Sequence, residues 1–328
     1  MSSDQTKKEA LFNEVKGSLF EYLVAKQIAI AGNEELLFQS GLDRNYLAVL
    51  SQQDRMVRQF YPEMLSFLEK VSRLTAGSII DYLGEIPASP RLLGKFSHTT
   101  ARDIYHEADL LFETTTGQLP LSLKLNKKHA FVNTKSGGVK SFFGLYFSLL
   151  EARVQKDFNK LVDLEFNRMA LELHAQHDLQ FPGNFSTWVR KGFSELPGEL
   201  DPASRSILKA YYARIAAELH RILTLAQGLG PEDFSNSLAP LLGFGSRDIL
   251  QVICFHDFKA GTDPAVEIHP FEEISQQAPV ISPFHGTASV GIDLGDWSLQ
   301  IRVKPMNKFT TTAIKINCSV KVKRPSDV

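Results

Sequence analysis

At 328 residues the chain exceeds the roughly 250–300 that one hydrophobic core serves, so two domains or one elaborated domain are expected. A formal net charge of −1 excludes a uniformly basic nucleic-acid binder, and any surface for a polyanion has to come from segregated charge. The polar start MSSDQTKKEA, the lack of an apolar stretch near the roughly 20 residues of a membrane span, and the lack of a Walker loop, dinucleotide glycine fingerprint or zinc spacing point to a soluble, cytoplasmic protein with no membrane partner and no organic cofactor.

Residues 1–85 read as helical. The run VKGSLFEYLVAKQIAIAG (15–32) places Leu19, Leu23, Lys26 and Ile30 at helical spacing with Glu21 inside it, and a second run extends from Asn45 to Leu74. GEIPASPRLLGKF (84–96) is a Pro/Gly-marked passage into EADLLFETTTGQLPLSLKLNKK (107–128), where two alternating segments flank the turn TTTG. Successive strand residues point to opposite faces. Asp109, Leu111 and Glu113 therefore share one face, and in the next strand Ser122, Lys124 and Asn126 lie opposite Leu121, Leu123 and Leu125. From 122 to 143 there are five lysines and no acid. Asn126, Lys127, Lys128, His129, Asn133, Lys135, Ser136 and Lys140 there are expected phosphate or base contacts.

A helical stretch follows from Gly144 to about His177 and breaks at PGNF (182–185). Asp201 then caps a helix reaching Leu229. SRDILQVICFHDF, GTASVGIDLG, SLQIRVKPM and TTAIKINCSVKVK make the C-terminal third mainly β. Cys254 and Cys318 lie in apolar runs and read as reduced core residues. Trp188 reads as a loop anchor, and His256-Asp257 as a structural pair. From Ser298 to Pro325 there are seven Lys/Arg and no acid. Gln300, Arg302, Lys304 and, beyond them, Lys308 form a basic polar arm suited to the major groove, where Arg reads guanine and Asn or Gln reads adenine.

An Asp on one strand followed by a strand reading acid-any-lysine resembles the PD-(D/E)XK nuclease core of type II restriction endonucleases. Here Ser122 stands in the second acid's place, so the triad reads Asp109, Ser122, Lys124. The helix with Glu21 resembles the family's first core helix, which often carries a Glu directed at the metal. The resemblance implies an α/β (α+β) fold with a restriction-endonuclease-like core, helical N-terminal and inserted segments, and a C-terminal β-rich arm. The divisions expected are 1–85, 86–180 as the catalytic core, and 181–328 as connector and recognition arm. It further implies Mg²⁺ held by Asp109 and Glu21, with Lys124 orienting or deprotonating the attacking water. The partner implied is double-stranded DNA, and the assembly a homodimer in a bacterial cytoplasm. Arg302-Val303 is similar, more narrowly, to the Arg/His plus small aliphatic dipeptide of BisI-type enzymes, which sense methylcytosine in GCNGC-like targets. A structure-specific or repair nuclease of the same fold and a non-catalytic DNA-binding protein are the other readings.

Overall fold

The computed structural model describes residues 3–93, 105, 108–127, 130–245, 248–257, 261–283 and 288–322. The fold is mixed α/β with two five-stranded sheets in two compact units: residues 1–130 with 243–273, and residues 131–242 with 274–328. Each unit is built from two separate segments, and the chain alternates between the units, from the first to the second, back to the first and again to the second.

The first unit opens with α1 (Ser3–Ala31), α2 (Glu35–Ser40), α3 (Arg44–Phe60) and α4 (Pro62–Leu83). In α1 the buried stripe runs Val15, Leu19, Phe20, Val24, Ala25 and Ile28, whereas Ile30, expected on that stripe, is exposed. Asp43 caps α3 through the Asn45 and Tyr46 amides, at 2.8 and 3.0 Å. The run expected to be helical from Asn45 to Leu74 breaks at Tyr61. Its φ of −146° and ψ of 56° lie outside the helix, as sterics with the following Pro62 demand. Gly84, at φ +68°, ends α4.

Strands β1 (Ala88–Leu92), β2 (Leu110–Thr114) and β3 (Gly117–Lys127) follow. Between the two segments of the second unit, β5 (Leu250–Asp257) and β6 (Thr262–His269) complete the sheet in the order β1-β2-β3-β5-β6. Every pairing is antiparallel except β3 with β5, which run parallel from Leu121↔Leu250 to Lys127↔His256. The hairpin of β2 and β3 has the expected alternation. Leu110, Phe112, Leu121, Leu123, Val252 and Cys254 belong to the core that buries α1 and α4, which leaves Asp109, Ser122 and Lys124 on the other face.

The second unit contributes β4 (Val132–Gly138), α5 (Phe142–Tyr146), α6 (Ala152–Gln176), α7 (Ser186–Arg190), α8 (Pro202–Leu229) and α9 (Pro231–Leu242), then β7 (Val280–Pro283), β8 (Ser289–Leu294), β9 (Trp297–Pro305) and β10 (Ile314–Val322). Its sheet is antiparallel throughout, ordered β4-β10-β9-β8-β7. Helix α8 packs on β7, β8 and β9, and α9 on β4 and β10. Their apolar sides meet Val290, Ile292, Leu299, Ile301, Val303, Ile316, Cys318 and Val320, all buried. The break at 182–185 and the Asp201 cap stand where the sequence placed them, with Asp201 accepting from the Ala203 and Ser204 amides. Trp188 is buried and donates to the Ser194 carbonyl. Both cysteines are free and buried, and burial pushes the Cys254 thiol up to about 11 and Cys318 up to about 12.

Candidate active site and candidate nucleic-acid face

Asp109 stands one residue before β2, where its main chain is pinned on both sides. Its amide donates to the Leu121 carbonyl at 2.8 Å, and its carbonyl accepts from the Leu93 amide at 2.9 Å. This places its carboxylate beside β3. Oδ2 accepts from the Leu123 amide at 2.7 Å, from Lys124 Nζ at 3.4 Å and from Ser122 Oγ at 3.5 Å. The three residues singled out in the sequence are thus brought together, with Asp109 20% and Lys124 24% exposed at the side chain.

Ser122 is buried and sits in register with Gln251 of β5, likewise buried. Gln251 was not anticipated, although a glutamine inside the apolar run LQVICF was a visible signal that this position meets something polar. Beside Lys124 the same ladder places Ile253, an apolar neighbour. Oδ1 of Asp109 has no donor among the described residues, which suits it to a hard cation. Mg²⁺ keeps several waters and needs as few as one carboxylate beside substrate oxygens, so this donor set fits a Mg²⁺ ion held mainly by solvent and substrate. Among the described residues no three His, Cys, Asp or Glu side chains converge as a ready metal cage.

Glu21, expected as a further ligand, lies on α1, which packs on the opposite face of the sheet. There its charge acts on the Tyr46 hydroxyl of α3, which burial and Glu21 together push upward. Glu113 pairs with Arg91 at 3.5 Å.

The expected DNA contacts do not fall on one surface. Lys128 and His129 lie outside the described residues. Asn126 is 9% exposed, and its amide donates to the Ala130 carbonyl at 2.9 Å. Lys140 pairs with Asp163 at 2.6 Å, and Lys308 with Glu195. Lys127 is exposed at the end of β3, in register with His256. The His256 ring is buried against Phe67, with centroids 5.1 Å apart. Burial, then the charges of Lys16 and Lys127, push its pKa down to about 4.

Of the remaining residues, Asn133, Ser136, Gln300, Arg302 and Lys304 share one face of the second sheet. Register puts Arg302 beside Asn317, Gln300 beside Ser319 and Lys304 beside Lys315, with Asn317 and Ser319 in turn beside Ser136 and Asn133 of β4. Lys135, in register with Cys318, takes the other side. The polar groups are knitted together. Ser136 Oγ donates to Asn317 Oδ1 and Ser319 Oγ to Asn133 Oδ1, each at 3.0 Å. Partial burial, then the neighbouring charges of Lys315 and Arg302, lower the pKa of Lys304. Val303 points to the apolar side and is 2% exposed, so Arg302 and Val303 do not share a surface. The alternation of the strand that makes Arg302 available is what withdraws its neighbour.

Among the described residues no helix is long and apolar enough to cross a membrane. Compared with protein-family models, with curated proteins and with solved structures, the chain matches none.

Proposed function

We propose that the protein is a Mg²⁺-dependent endonuclease that hydrolyses phosphodiester bonds of double-stranded DNA at a short sequence, in the manner of the PD-(D/E)XK restriction enzymes. The observation that carries this reading is the pairing of Asp109 and Lys124 across a hairpin, 3.4 Å apart and both reachable from solvent. Hydrolysis requires a water in line with the leaving oxygen and positive charge beside the charge that grows on the phosphoryl oxygens. A bound Mg²⁺ would supply Lewis-acid polarisation of the phosphate and a more acidic water. Asp109 would offer Oδ1 to that ion, while its Oδ2 accepts from the Leu123 amide. Lys124 brings a compact cation to the same place from the adjacent strand, and Ser122 donates to the carboxylate from beneath. The polar, cationic face of the second sheet supports DNA as the substrate, because a chain of net charge −1 has gathered lysine, arginine and amide groups on one surface. A homodimer is the assembly that matches a palindromic site.

The test is incubation of one plasmid, unmethylated or cytosine-methylated, with Mg²⁺ or with EDTA. Discrete fragments only with Mg²⁺ support the reading, and the substrate cut decides whether methylation is required. Intact plasmid in every lane sinks it.

A second reading is favoured by the 2.7 Å bond from the Leu123 amide to Asp109. A carboxylate that satisfies a strand amide and pairs with a lysine is a sufficient structural unit. The protein would then bind DNA without cutting it.

A further inference from the structure

Gln300 was expected to read a base, yet it is 4% exposed and both ends of its amide are committed. Its Nε2 donates to Ser289 Oγ at 3.3 Å, and its Oε1 accepts from Arg302 Nη2 at 2.8 Å. The three residues are neighbours across the β8–β9 ladder, where Ser289 pairs with Arg302 and Gly291 with Gln300. Gly291 brings no side chain between Gln300 and Ser289. Arg302 itself is exposed, and among the described residues no carboxylate pairs with it. An arginine held by a neutral amide keeps its full charge, and its remaining donors stay available in a fixed fork. That differs from Lys140 and Lys308 in the same unit, each of which a carboxylate already neutralises.

We propose that Gln300 is a positioning residue that contacts no base itself and, braced by Ser289, holds the Arg302 guanidinium in the orientation with which it reads a guanine in duplex DNA. The proposal takes its partner from the DNA-cleaving reading above, but it concerns binding and not hydrolysis. Bidentate contact with guanine O6 and N7 demands a fixed guanidinium plane, whereas a phosphate contact tolerates a loose one. Gln300 supplies that constraint from below the surface.

The experiment is selection of bound duplexes from a pool of random sequence by the full-length protein without divalent cation, together with affinity for the selected and for random DNA. The wild type is expected to enrich a guanine at one position. Arg302→Ala should abolish that preference, with a loss of roughly 5- to 150-fold on the selected duplex. Gln300→Ala should relax the same position while affinity for random DNA stays within about 2-fold, and Gln300→Glu, which replaces the neutral acceptor by a carboxylate that neutralises Arg302 and removes the donor to Ser289, should not restore the preference. If Gln300→Ala does not fold, Ser289→Ala breaks the outer bond of the same relay and should relax the position in part. Undiminished guanine preference in the Gln300 or Ser289 variant that folds overturns the proposal. So does an Arg302→Ala loss that is equal on all sequences, which marks a phosphate contact, or a wild type without base preference. Binding with preference but without cleavage leaves this inference standing and removes the nuclease.

Discussion

At Asp109 one carboxylate oxygen serves both the backbone and the lysine, and this separates structural from chemical effects of substitution. Asp109→Asn keeps an acceptor for the Leu123 amide but loses the charge, so we expect an unchanged melting temperature within a few degrees and cleavage reduced by at least about 100-fold, read by thermal melting and by plasmid cutting. Asp109→Ala leaves that amide without its acceptor and should cost about 1–3 kcal/mol in chemical denaturation as well. His256 is a different kind of residue. Its pKa is lowered to about 4 in the folded chain, against an ordinary 6.5. Between those values the unfolded chain binds a proton that the folded one refuses, so stability is full above pH 6.5 and falls as the pH is lowered toward 4. The slope from this group is at most about 1.4 kcal/mol per pH unit. Denaturation at several pH values should show it in the wild type and show it diminished in His256→Leu. The sequence displayed Asp109, Ser122 and Lys124 because a strand with one buried face announces its period. The same period sets Val303 opposite Arg302, whereas it could not display that Gln300 is covered, since that depends on the neighbours the β8–β9 ladder brings beside it.

At the scale of elements, the strands whose existence was legible are β2, β3, β5, β8, β9 and β10, and those missed are β1, β4, β6 and β7. The missed four are the edges of the two sheets. Edge strands are short, tolerate proline and need no regular apolar face, so they resemble loops in sequence. Pro90, Pro264 and Pro283 stand in three of them, and VNTKSGG in β4 has neither alternation nor bulk. What makes β4 a strand is the ladder that β10 offers it. Helix α8, by contrast, carries its own start signal. Asp201→Ala removes the acceptor for two amides of its first turn and should destabilise the second unit by about 1 kcal/mol, while Asp201→Ser should recover most of that in the same denaturant titration.

For the whole molecule, the basic run from Ser122 to Phe143 looked like one surface and is in fact divided at residue 130 between the two units. Its first part belongs to the strand that bears Lys124. Its later residues Asn133 and Ser136 join the face that bears Arg302, some 170 residues further along by the numbering of the chain. No local pattern could reveal this, nor that β3 finds its parallel partner β5 only after residues 131–242 of the second unit have been traversed. This alternation has a consequence for truncation. A chain ending at Leu242 lacks β5 and β6 and leaves the central strand β3 without a neighbour on one side. We expect hydrogen exchange to show lost protection in β2 and β3 of that fragment compared with the full chain. The most direct measurement of the central claim is the cleavage rate of Lys124→Ala beside its DNA affinity, taken with Mg²⁺ for the first and without divalent cation for the second. The account predicts a rate lowered by roughly 10²–10⁴ with affinity within about 3-fold of wild type. Cleavage at the wild-type rate in Lys124→Ala, or a loss of rate fully explained by a loss of binding, would contradict it.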